Sequence, residues 1–171
     1  MQKVGGANWL WGRWSALGFA VAAGTVAIDQ AHKWWMLGPY DIANRGRVEI
    51  TPFFDLVFHK NIGISYSMFG SESFAWQIAL AGFATLVSLG LWGWLSRSSH
   101  GRLMTWSLAL IIGGAVGNAI DRVLIGGVAD FFSFHIPVGG KEFYWYVFNI
   151  ADIAIVAGVV GLLYDSWGAE S

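Results

Sequence analysis

The chain has 171 residues, of which 56% are hydrophobic and only 12% charged, and its mean hydropathy is +0.53. That composition excludes an ordinary soluble domain. A formal net charge of −1 gives no footing for nucleic-acid binding, and the lack of cysteine excludes disulfides, thiolate catalysis and cysteine metal sites.

The first apolar run, about 14–37, is unbroken up to Ile28 and then meets Asp29, Gln30 and Lys33. Lys3 and Arg13 ahead of it resemble the start of a cleavable signal peptide. Three further spans follow, however, so the reading is a retained first transmembrane helix. Asp29 and Lys33 lie four apart with the acid first. They form either an intrahelical ion pair, worth roughly 0.2–0.5 kcal/mol, or a pair in which Asp29 reaches across to order the outer loop.

The loop at about 38–73 is too rich in pattern to be a linker. RVEI and FFDLVFH carry β-branched and aromatic residues in partial alternation between Gly, Pro and Asn. They predict a small antiparallel sheet on the outer face, with aromatics at interfacial depth. Residues 74–95 contain no charge and are long enough to cross ~30 Å of hydrocarbon. A third span, about 103–123, contains GGAVGNAIDR. There Gly114, Asn118 and Asp121 fall on one helix face, and Gly113 and Gly117 form a small-xxx-small pair that admits a close neighbour. Asp121 and Arg122 are either a capping and interfacial cluster or part of a site.

The outer segment at about 124–144 reads as two short extended pieces around a VGGK turn, and the fourth span runs from about 145 to 165. The expected fold is therefore an all-α, single-domain membrane protein of four transmembrane helices with one small extracytoplasmic sheet between helices 1 and 2. Lys and Arg are densest in the N-terminal tail and in the short turn with Arg97 and Arg102. Both termini are thus expected in the cytoplasm and both long loops outside.

Two acids stand in costly places. A carboxylate within a membrane helix costs roughly 2.5–3.5 kcal/mol on insertion scales. Asp152 lies in FNIADIAIVAG with Asn149 three residues before it, on the same face. Asp130 lies in VADFF, in apolar company. Asp130 is the natural partner of Asp152; otherwise each is salt-bridged separately, to Arg122 or Lys141. Two apposed carboxylates cannot both ionise cheaply, so one keeps a proton near neutral pH. Such a pair can take a proton from water and hydrogen-bond a carbonyl, which is the equipment for peptide hydrolysis without a metal or covalent intermediate. Nearby Asn donors can hold the substrate. No HExxH surrounds His32, His59, His100 or His135, and these read as interfacial or loop residues. No GxSxG occurs, and Ser65 has no evident base, so zinc and serine chemistries are poor readings.

IDQAHK (28–33), NIGISYSMF (61–69), GGAVGNAIDR (113–122), VADFF (128–132) and FNIADIAIVAG (148–158) resemble, in order, the blocks of lipoprotein signal peptidase, also called signal peptidase II. The resemblance covers the chain from its first helix to its last. It implies a bacterial inner-membrane aspartic endopeptidase without a cofactor or metal, its active site near the periplasmic face. The substrates it implies are diacylglyceryl-modified prolipoproteins, cut just before the lipidated cysteine. The partners it implies are membrane lipids and globomycin-type cyclic peptide inhibitors, not nucleic acid. The family's catalytic pair falls on Asp130 and Asp152. Its substrate-binding or supporting positions fall on Asp29, Lys33, Asn61, Gly63, Asn118, Asp121, Arg122 and Asn149, and its first outer loop is expected to form a β-cradle. Many members have NTGAAF and VVDF where this chain has NIGISY and VADF. The bulk of Ile62, Ile64 and Tyr66 therefore bears on substrate preference. A proton-coupled transporter would need inverted repeats or broken helices, neither of which is evident. A non-catalytic scaffold would tolerate Asp→Asn at both acids.

Overall fold

The computed structural model describes residues 10–63, 70–97, 101–139 and 141–168. Lys3, Ile64, Ser65, Tyr66 and His100 lie outside the described residues, as does the side chain of Lys141. The order is α1 (Ser15–Leu37), α2 (Ile42–Arg45), β1 (Val48–Thr51), β2 (Phe54–Asn61), α3 (Phe74–Arg97), α4 (Arg102–Ile125), β3 (Val128–Val138), β4 (Lys141–Phe148) and α5 (Ile150–Gly168).

Among the described residues, three helical segments are long and apolar enough to cross a membrane: Phe74–Arg97, Arg102–Ile125 and Ile150–Trp167. The four spans expected from sequence thus reduce to three on this measure. α1 is 23 residues long, ample for a crossing, but Asp29, Gln30, His32 and Lys33 dilute its apolarity. α4 is the central helix, packing against α1, α3 and α5. Its contacts with α1 run over Gly113 and Gly117, where an added Cβ would meet Thr25 Cβ and Asp29 Oδ2, each at 2.6 Å. The far faces carry exposed side chains such as Phe83 and Leu86 on α3 and Val160 and Leu163 on α5, as lipid-facing surfaces do.

Gly114 faces α5, and a Cβ there would collide with the Ala151 carbonyl. Backbone cannot swing aside as a flexible side chain can. Gly114→Ala is therefore expected to force α4 and α5 apart and cost about 1–3 kcal/mol. The thermal midpoint in detergent checks this, and an unchanged midpoint would contradict the packing described.

The sheet is larger than expected. Both outer segments contribute to one four-stranded antiparallel sheet in the order β1-β2-β3-β4, not a sheet confined to the loop between the first two long helices. Residues 145–148, assigned from sequence to the last helix, are the end of β4, and α5 starts only at Ile150. The aromatic and β-branched run FYWYVF favours strand over helix, which accounts for the displaced boundary. Gly126 caps α4 in the left-handed region, with φ of 68°, and lets the chain turn directly into β3. One sheet face packs Ala129 and Phe131 on Met36 and Ile42, so the sheet is seated on the end of α1. A cluster of ring contacts among Phe54, Phe132, Phe134 and Phe148, two stacked and two tilted, joins β2, β3 and β4. His135 is buried rather than interfacial, with Nδ1 3.2 Å from Asp55.

Candidate active site

Asp152 sits in the first turn of α5, where spacing alone sets part of its geometry. The Asn149 side chain accepts the Asp152 N–H at 3.0 Å, and Asp152 Oδ2 accepts the Asn149 N–H at 3.2 Å. This reciprocal capping box satisfies two donors at the helix start and turns the carboxylate back toward the helix N-terminus. Asn118 of α4 donates to the other oxygen at 2.9 Å.

Asp130, near the start of β3, lies opposite His59 in the β2–β3 register. It is fully buried. Asn149 Nδ2 donates to its Oδ1 at 2.7 Å, and Asn61 Nδ2 donates to its Oδ2 at 3.2 Å. Asn149 therefore touches both acids, through its side chain and its backbone. The same amide lies 3.1 Å from Asn118 Oδ1. Neither Asp130 nor Asp152 forms an ion pair with Arg122 among the described contacts. Burial, and then the charge of Asp152, push the Asp130 carboxyl up from 3.8 to about 7, against the pull of the Asn61 and Asn149 donors and of Lys33.

The remaining expected residues join the same network. Asn61 Oδ1 accepts the Gly63 N–H at 3.1 Å. Arg122 donates to the Gly63 carbonyl at 3.0 Å and to the Asn118 carbonyl at 3.1 Å. Lys33 Nζ lies 2.8 Å from Asp29 and 2.7 Å from Asp121, and 3.3 Å from Asn118 Oδ1. The Asp29–Lys33 pair is thus not confined to one helix but is part of a buried triad across α1 and α4. Asp29 also reaches across to α5, accepting the Ala151 N–H at 3.0 Å, while Asp121 accepts the Ala129 N–H at 3.1 Å. Each acid thereby satisfies a backbone donor beside one member of the Asp130/Asp152 pair. All ten residues singled out from sequence are connected by these bonds.

Three participants were not anticipated. Gln30 donates to Asp29 and Asp121 at 3.1 and 3.0 Å; an amide next to Asp29 in an apolar helix was the available signal. Buried Gln77 clasps the Ile62 and Ser71 carbonyls, at 2.7 and 2.9 Å. Tyr146 accepts from Asn61 at 3.0 Å, and nothing in its aromatic run distinguished it. Among the described residues, no group of three or more His, Asp or Glu side chains is placed to hold a metal ion.

A cleft of about 440 Å³ opens against Asp152, Asn118, Arg122, Asn61 and Tyr146, with Ala84, Ala115, Ile155 and Val156 as apolar walls. A few convergent polar groups in an apolar setting suit an amphiphilic ligand. Asp152 lines the cleft, while Asp130 stands behind Asn61 and Asn149.

Residues 21–168 match the family described as signal peptidase (SPase) II. A lipoprotein signal peptidase of Nitrobacter hamburgensis is 50% identical over 154 residues, covering 88% of this chain and 91% of the relative. One from Rhodopseudomonas palustris is 49% identical over 150 residues, with the same coverage. Two solved structures described as bacterial membrane enzymes share the fold. One has a TM-score of 0.71 at 24% identity, over 91% of this chain and 90% of the other; the second has 0.63 at 26%, over 87% and 91%.

Proposed function

The chain belongs to the signal peptidase II family, and from that premise we propose that it is an aspartic endopeptidase of the membrane. It removes signal peptides from diacylglyceryl-modified prolipoproteins, cutting on the N-terminal side of the lipidated cysteine. The observation that carries this reading is the junction at Asn149, which bonds both acids, with Asp152 lining an apolar-walled cleft and Asp130 buried directly behind the amide.

The pair shares one proton and titrates as a unit. The charged member takes a proton from water as the water oxygen attacks the scissile carbonyl. The protonated member gives its proton to the carbonyl oxygen, forming a neutral tetrahedral intermediate. Collapse of that intermediate re-forms the carbonyl, breaks the C–N bond, and returns a proton to the leaving nitrogen. Asn118, Arg122, Asn61 and the Gly63 region hold the peptide. The acyl chains remain against the apolar walls, in contact with lipid, while the scissile bond reaches water between helices. A globomycin-type cyclic peptide would compete for the same cleft.

In this reading α1 is the fourth span. Its acid and base are paired inward on α4, while Phe19 and Ile28 are exposed outward, the arrangement a membrane requires of charged residues. Four spans put both termini on one side. Arg13, Arg97 and Arg102 belong to the tail and short turn on that side, which supports a cytoplasmic side there and a sheet and dyad at the periplasmic face of the inner membrane.

Purified protein in detergent, given a lipidated prolipoprotein peptide, is expected to release a fragment ending just before the modified cysteine, as read by mass. Equal cleavage of the unlipidated peptide would remove the diacylglyceryl requirement. Proton flux without cleavage would point to a transporter instead.

A pH dependence follows. A carboxyl raised to about 7 keeps its proton below that value and loses it above. The singly protonated pair is then depleted on the alkaline side, so kcat/KM is expected to fall about tenfold per unit well above pH 7. A flat profile to pH 9 would contradict the shared proton. For stability the sign is the same. Between about 3.8 and 7 the folded state binds the proton and the unfolded chain does not, so Asp130's contribution declines as pH rises.

A further inference from the structure

Tyr146 lies on β4, three residues before Asn149. Its hydroxyl accepts one Asn61 Nδ2 proton at 3.0 Å, and the other Asn61 proton is directed to Asp130 Oδ2 at 3.2 Å. The Asn61 carbonyl oxygen is meanwhile occupied by the Gly63 N–H. The amide is thus held at three points, and only Tyr146 fixes the donor that does not touch the acid. The ring has a second relation to the site. It lines the 440 Å³ cleft and also a neighbouring apolar groove of about 410 Å³ walled by Phe148, Ile153 and Val156. Asp152 lines both cavities, so the phenol and the carboxylate stand together where the two meet.

We propose that Tyr146 is a positioning residue for the reaction: its hydroxyl locks the Asn61 amide against Asp130, and its ring divides the substrate space beside Asp152 into two compartments. The inference rests on the dyad reading above and extends it to a residue that reacts with nothing itself. The division suits a substrate with two unlike parts, a peptide requiring polar partners and an acyl-bearing side chain requiring an apolar groove. Without the hydroxyl, Asn61 loses one of its three restraints and its bond to Asp130 loosens. That bond favours the charged carboxylate, so loosening it lets Asp130 hold its proton to higher pH. The groups facing Asp130 are Asp152 of α5, Lys33 of α1, Arg122 of α4, Tyr146 of β4 and His59 across the β2 register. A conservative change at Tyr146 leaves the other four in place.

Tyr146→Phe keeps the ring and removes the hydroxyl, while Tyr146→Ala removes both. With a lipidated prolipoprotein peptide, the Phe variant is expected to lose about 3- to 10-fold in kcat, the range for one neutral hydrogen bond. Its KM and thermal midpoint should be unchanged, and the alkaline limb of its pH profile should move upward. The Ala variant is expected to add a rise in KM that depends on acyl length. A Phe variant with wild-type kcat and an unmoved limb overturns the proposal, as does a change confined to KM. A fallen midpoint would assign the hydroxyl to folding and overturn it equally. Asp130→Asn and Asp152→Asn, measured alongside, separate the two levels. If they are inactive while Tyr146→Phe is wild-type, only the positioning role falls. If they still cleave, the dyad reading falls and the positioning role with it.

Discussion

Asp130→Asn and Asp152→Asn are each expected to abolish measurable processing, lowering kcat/KM by at least about 10²–10⁴-fold, the range for losing a positioned proton-transfer group. The reason lies in how the two acids are joined. Asp152 is held by Asn118 and by its reciprocal bonds with Asn149, and Asp130 by Asn61 and the Asn149 side chain. An amide at either position keeps the volume but cannot cycle a proton. It also sets an NH2 group against donors already aimed at a carboxylate, so a modest stability change accompanies the loss. The two losses should not add, because one proton is shared between the groups. A double variant is then no slower than either single one. The assay is cleavage of a lipidated peptide, with the thermal midpoint and gel-filtration profile confirming a folded protein. Retained turnover in either folded variant would remove that aspartate from the chemistry. Asp130→Asn should also flatten the slope of thermal midpoint against pH between about 4 and 7, since the group responsible is gone.

Lys33→Met is expected to carry the largest stability cost, about 3–5 kcal/mol. Lys33 is almost fully buried, and its ammonium is within 2.8 Å of Asp29 and 2.7 Å of Asp121. Truncation to an apolar side chain of similar length keeps the packing and leaves two carboxylates facing each other without a cation. The cost is greater than the few tenths of a kcal/mol of an ordinary intrahelical i,i+4 pair, because removing one partner strands charge in a low-dielectric interior. Activity should fall as well. Asp29 and Asp121 hold the Ala151 and Ala129 N–H groups, which neighbour Asp152 and Asp130. Pairing Lys33→Met with Asp29→Leu should recover part of the loss, since an apolar replacement removes one stranded charge. Thermal unfolding in detergent checks both. A single variant within 1 kcal/mol of wild type would show that the triad contributes little.

Much of this was legible in the chain itself, for a physical reason. Membrane helices announce themselves by uncharged length, so α3, α4 and α5 could be read directly. Within a helix the 3.6-residue period fixes which side chains share a face, so the Asn149/Asp152 pairing and the Gly114–Asn118–Asp121 stripe followed from spacing. The cost of a carboxylate in apolar surroundings singled out Asp130 and Asp152. Strand signals in RVEI and FFDLVFH were equally local, and β1 and β2 form there.

What tertiary structure decided was which of these faces meet. Sequence spacing pairs Lys33 with Asp29 one turn away, but only the packing of α1 on α4 across Gly113 and Gly117 brings Asp121 to the same ammonium. Joining β2 to β3 merged two outer segments into one sheet and set Asn61 beside Asp130, distant in the chain. That pairing also buried Asp130 behind two amides and left Asp152 to face the cleft, an asymmetry no spacing encodes. Tyr146 acquired its place in the same way, as one aromatic among several whose neighbour is chosen by strand register. Local periodicity constrains direction within an element, whereas contacts between elements depend on the free energy of packing the whole chain.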